Sequence, residues 1–78
     1  MSLSELDEQI LKCAYLLFRK GINPFTEKQL FNEVYECEYE DFLYSLEHLI
    51  SLGYFSPNGE LTVYGLSYCR NFEVDKYE

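Results

Sequence analysis

No lysine or arginine occurs between Gln29 and Cys69, a stretch that makes up half of the 78-residue chain. Over the whole sequence six cations face fourteen carboxylates, leaving a formal charge of −8. Such a surplus repels phosphate backbones and acidic membrane surfaces and favours basic protein surfaces. Tryptophan is absent, and His48 is the only histidine. The three cysteines, Cys13, Cys37 and Cys69, are odd in number and lack a CxxC spacing, so neither a disulfide framework nor a zinc-ligand pattern is expected. The opening Met1-Ser2-Leu3-Ser4 has no basic segment followed by an apolar core, which predicts an intracellular, cytoplasmic protein. The longest apolar run, Cys13 to Phe18, is far below membrane-spanning length, and no membrane partner is expected. Repeats, low-complexity tracts and linkers are also missing. These absences predict one domain over 1–78, with its core at about 5–72 and a polar tail at about 73–78.

Catalytic signals are equally sparse. The four glycines, Gly21, Gly53, Gly59 and Gly65, each fall at an expected helix end or turn, and none belongs to a phosphate-cradling loop. A chain this short, with a single histidine, offers no cleft with a nucleophile and base. A non-enzymatic protein without cofactor or metal is therefore expected.

What the sequence does have is apolar and aromatic mass. Hydrophobic residues make up 47% and aromatics 18%, including eight Tyr and six Phe, too much for a disordered chain of this charge. A core of this size supplies only a few kcal/mol, which makes a homodimer plausible. Ser4 with Asp7 reads as a capping pair, followed by Leu6, Ile10, Cys13, Ala14 and Leu17 at helical spacing as far as Gly21 and Asn23-Pro24. The first helix is placed at roughly 5–20. Leu11, Tyr15, Leu16 and Phe18 make it apolar nearly all round, so it needs cover on two sides. Thr26 and Gln29 form a second capping box, opening a helix at roughly 27–35 with Leu30, Phe31 and Val34 inward. After the acidic connector Glu36-Cys37-Glu38, Phe42, Leu43, Leu46, Leu49 and Ile50 mark a third helix from about Tyr39 to Leu52, ended by Gly53. Tyr54-Phe55-Ser56 and Glu60-Leu61-Thr62-Val63 flank Pro57-Asn58-Gly59 and read as a β-hairpin. From Tyr64 or Gly65, Leu66, Cys69 and Phe72 return to helical spacing.

Two stretches carry a family resemblance. Leu46-Glu47-His48-Leu49-Ile50-Ser51-Leu52-Gly53-Tyr54-Phe55 looks like a recognition helix running into a first wing strand. Leu61-Thr62-Val63-Tyr64-Gly65-Leu66-Ser67-Tyr68 looks like a second wing strand turning into a last helix. In this order, over roughly Leu6 to Phe72, the chain resembles the winged helix-turn-helix family. The resemblance implies a mainly α (α+β) fold, with a three-helix core, a β-hairpin wing and a C-terminal helix. It also implies one of two functions, since members of the family bind DNA in transcription regulators or dock proteins in transcription, replication and membrane-remodelling assemblies. Carried over, the phosphate-facing positions fall on Glu40 and Asp41 and the base-reading position on Tyr44, with Glu47 and His48 one turn on. Carboxylates there oppose ordinary major-groove reading.

The expected function is accordingly to modulate transcription or a related nucleic-acid process by docking a basic protein surface, a transcription or replication component. The expected contact residues are Glu36, Glu38, Tyr39, Glu40, Asp41, Tyr44, Glu47 and His48; the plainer alternative is a solvated acidic helix face. A second expectation is a dimeric DNA-binding regulator using Lys12, Lys20 and Lys28, and a third is an inhibitor that imitates DNA. A two-fold interface is placed on Leu11, Tyr15, Leu16, Phe18, Leu66, Cys69 and Phe72. His48 is expected to be a plain residue on the outward face of the third helix, and the cysteines to be small buried side chains.

Overall fold

The computed structural model describes residues 3–34 and 37–77, with side chains as far as Asn71 in the last helix. Four helices follow in order: α1 (Glu5–Arg19), α2 (Glu27–Glu33), α3 (Tyr39–Ser51) and α4 (Val63–Tyr77). The first packs against each of the other three.

Both predicted capping boxes form. Ser4 Oγ accepts the Asp7 amide while the Asp7 carboxylate takes the Ser4 amide, and Thr26 and Gln29 do the same at α2. Each pair satisfies two of the amides that a helix start otherwise leaves without partners. The helix α2 is shorter than expected, because Val34 leaves the helical region at ψ 132°. At the end of α3 the Gly53 amide donates to Ile50 O and the Tyr54 amide to Leu49 O. This closure needs a left-handed residue after the cap, and Gly53 supplies it at φ 89°.

The core runs from Ile10, Leu11, Ala14 and Leu17 on α1 through Leu30 to Phe42, Leu46 and Leu49 on α3, and is closed below by Phe25, Phe55 and Leu61. Fully burying aliphatic or aromatic side chains of this size contributes roughly 1.5–3 kcal/mol each. The second side of α1 is covered in part within the chain: Leu11 is buried, Tyr15 and Phe18 are half-buried, and Leu16 is exposed. Cys69 of α4 is buried and its thiol donates to Leu11 O, so the last helix covers the Leu11 part of the side that seemed to need a second subunit.

The expected β-hairpin wing is not there. Among the described residues there is no strand, only an isolated antiparallel bridge between Phe55 and Leu61. The two segments do approach as foreseen, with the Ser56 amide on Glu60 O and the Thr62 amide on Tyr54 O. They pair for a single rung because Thr62 is taken by the next helix. Its Oγ accepts the Gly65 amide, as an N-cap does, and its hydroxyl lies on Gly53 O and Tyr54 O. Helix α4 thereby starts at Val63 and takes the last residue of what was read as the second strand, with Thr62 as its cap. Nor does the turn project. The Phe25 amide donates to Gly59 O at 2.8 Å, Asn23 Oδ1 takes the Leu61 amide, and Phe25 meets Phe55 edge to face. These contacts fold residues 56–60 back onto the α1–α2 connection. The fold is mainly α, without a wing. The expected tail from Glu73 is helical backbone as far as Tyr77.

Candidate functional site

Alternation of apolar and polar positions along α3 turns Phe42, Ser45, Leu46 and Leu49 inward and leaves Glu40, Asp41, Tyr44 and Glu47 exposed. Tyr44 stands out, with 79% of its surface exposed. Among the described residues no ion pair holds the carboxylates of Glu40, Asp41 or Glu47. Glu40 and Asp41 lie in the first turn of α3, where the helix dipole favours negative charge. Glu38 is exposed at the N-cap without a side-chain capping bond. Glu36 lies outside the described residues.

Tyr39 and His48 hold the fold as well as facing outward. The Tyr39 ring packs edge-on against Phe31 and stacks with Phe42, and its hydroxyl donates to Glu27 Oε1 at 3.1 Å. It ties α2 to α3. His48 is not the unattached surface residue expected from sequence: its Nδ1 lies 3.1 Å from Asp7 Oδ2 on α1.

Asp7 is the residue that sequence reasoning missed beyond its capping role. It is 3% exposed, yet carries a carboxylate. One oxygen accepts the Ser4 amide and contacts His48, and the other accepts the hydroxyl of the buried Ser45. Burial alone would push the carboxyl up, but the hydrogen bonds from Ser45, the Ser4 amide and His48 outweigh it and hold it below its ordinary value. A signal was present, since Asp7 shares the spacing of Ile10, Ala14 and Leu17 and so lies on the buried stripe of α1. The cluster does not have the order of a hydrolytic triad. The carboxylate sits between hydroxyl and imidazole, so the Ser45 hydroxyl donates to Asp7 and the His48 ring lies on the carboxylate rather than on the hydroxyl.

The cations expected to serve DNA lie elsewhere. Lys12 is exposed on α1 and Lys28 on α2, while Lys20 at the end of α1 pairs with Glu33 at 3.6 Å. None shares the outward face of α3. Of the residues assigned to a two-fold interface, Leu11 and Cys69 are covered by the chain itself and have no surface to offer a second copy. Tyr15 and Phe18 are half-buried and stacked on each other, with the Arg19 guanidinium 5.9 Å from the Tyr15 ring centre. Leu66 is half-buried, Leu16 is 49% exposed, and the Phe72 side chain lies outside the described residues.

Cys13 is buried, with its thiol donating to Glu33 O, and burial and the nearby Glu33 charge push that thiol up. Burial, Asp41 and Glu38 do the same to the half-buried Cys37. Among the described residues no group of three or more His, Cys, Asp or Glu is placed to hold a metal ion, and no helix is long and apolar enough to cross a membrane. No known protein family, curated protein or solved structure matches the chain.

Proposed function

We propose that this chain is a small, non-enzymatic docking module that binds a basic protein partner through the outward face of α3, formed by Glu40, Asp41, Tyr44 and Glu47. The observation that carries this reading is Tyr44, a large aromatic left 79% exposed among carboxylates that no ion pair holds among the described residues. Burying an exposed ring against a partner contributes apolar area at low conformational cost, and tyrosine is enriched among residues that dominate interface energetics. The surrounding carboxylates steer a cationic partner and repel nucleic acid and acidic surfaces. Basic surfaces are common on proteins that handle nucleic acid, so a transcription or replication component is the class of partner whose charge fits. The proposal does not rest on the winged-helix resemblance, whose wing the fold lacks.

The test is a fluorescence-anisotropy titration with a labelled arginine- and lysine-rich peptide, an acidic peptide of equal length and random duplex DNA, each at low and moderate salt. Binding of the basic peptide alone, weakening with salt, is the expected result. The double reversal Glu40→Lys with Asp41→Lys should weaken it by at least about tenfold, or ~1.4 kcal/mol, with the helical spectrum unchanged. Salt-sensitive binding of duplex DNA in place of the peptide would overturn the reading and favour the cations of α1 and α2.

A further inference from the structure

The outward face of α3 does not end at its own helix. Two adjoining clefts, of about 650 and 340 Å³, lie between the first turns of α1 and α3 and share Leu6 and Asp41. The larger is lined also by Glu5, Cys37 and Glu38, and the smaller by Tyr44, with Asp7, Ser45 and His48 as its floor. The floor groups satisfy one another, as the Ser45 hydroxyl and the His48 ring both lie on the Asp7 carboxylate. The rim is different. Glu5, Glu38 and Asp41 are exposed, and Leu6 is a half-buried apolar ridge between the two hollows.

We infer that this groove is built for an arginine side chain of the basic partner, whose methylene stem crosses Leu6 and whose guanidinium lies against Tyr44 and Asp41. The inference rests on the docking reading above and extends that surface to α1. Three features of the groove select the occupant. An apolar ridge suits an aliphatic stem, which long cationic side chains lay along such surface while keeping the charge outside. The exposed carboxylates of Glu5, Glu38 and Asp41 beside the ridge suit a cation. An exposed phenol ring beside Asp41 favours a planar guanidinium, which stacks on aromatic faces and pairs with carboxylates through its fork of donors, whereas an ammonium is a compact and strongly hydrated point charge. Among the described residues the lining of the groove contains no lysine or arginine, and its one histidine faces Asp7.

The experiment compares two labelled peptides of equal length and charge, one with arginine and one with lysine at every cationic position, against the full chain and four variants. The arginine peptide should bind at least about threefold more tightly. Tyr44→Ala should weaken it about three- to tenfold, Tyr44→Phe should leave it within about twofold, and Asp41→Asn should again cost about three- to tenfold. Glu60→Gln removes the same unit of charge from the turn, outside the groove, and should leave binding within about twofold. Tyr44, Asp41 and Glu60 are all exposed, so the fold tolerates each change, and a helical far-ultraviolet spectrum checks it. Equal affinity for the two peptides, or equal losses for Asp41→Asn and Glu60→Gln with none for Tyr44→Ala, would overturn the arginine site and leave a diffuse acidic docking face. Binding of neither peptide would overturn both.

Discussion

Replacing Asp7 with alanine removes a single carboxylate that caps α1 and ties it to α3, and its cost can be worked out contact by contact. Ser45 is 4% exposed and its hydroxyl donates to Asp7. Stranding a buried hydroxyl costs about 1–3 kcal/mol. The Ser4 amide lies at an exposed helix start and rehydrates, so the lost arm of the capping box costs at most about 1 kcal/mol. The His48 side chain is 32% exposed and finds water at little cost. Asp7→Ala should therefore destabilise by about 1–4 kcal/mol, which for a domain of this size lowers Tm by on the order of 5–30 °C. Thermal melts followed by far-ultraviolet circular dichroism read this directly. Ser45→Ala, costly in the wild-type background, should be nearly neutral once Asp7 is gone, giving a coupling of about 1–2 kcal/mol in the double-mutant cycle. The same carboxylate predicts an acid response. Its pKa in the folded chain is below the ordinary 3.8, so its contribution is complete above about pH 4 and is lost as pH falls through the folded value. Asp7→Asn should lack that part of the acid-induced loss. A Tm for Asp7→Ala within about 3 °C of wild type, or additive effects of Asp7→Ala and Ser45→Ala, would refute the claim that this cluster holds the two helices together.

Two further predictions concern the region that replaces the wing. Gly59→Ala should destabilise by about 2–4 kcal/mol in chemical denaturation, since Gly59 has φ 86° and an added methyl would run into the carbonyl of Phe25; a change below about 0.5 kcal/mol would mean that the turn swings free of the body. Burial, with the adjacent Tyr64, pushes the Tyr54 phenol up to about 12. A raised tyrosine value favours the neutral form in the folded state, so its contribution is complete below the unfolded value near 10 and is lost as pH rises towards 12. Ultraviolet titration should show a late-ionising phenol that is lost in Tyr54→Phe, and the same substitution should flatten the loss of stability over that window.

Much of the secondary structure was legible locally. Ser4 with Asp7, Thr26 with Gln29, and Gly53 mark helix ends through bonds spanning three to five residues, and such bonds depend little on distant parts of the chain. The hairpin failed for a reason of the same kind read the wrong way. Leu61-Thr62-Val63 has the β-branched composition of a strand, but Thr62 is also a competent N-cap, and its bonds to the Gly65 amide and the carbonyls of residues 53 and 54 decided for the helix. The outward carboxylates and Tyr44 of the proposed docking face followed from helical period alone, whereas the part of the groove contributed by Glu5 and Leu6 did not, because it exists only where α1 lies beside α3.

The sequence by itself determined the charge, the first three helices and the inner face of α3, because these depend on residue identity and on a period fixed by backbone geometry. Tertiary structure alone decided that α4 covers Leu11 on the second side of α1, that the turn at 56–60 folds inward onto Phe25, and that Asp7 meets Ser45 and His48 some forty residues away. Those outcomes depend on which buried surfaces and donors find one another in space, and no local pattern of residues encodes that pairing.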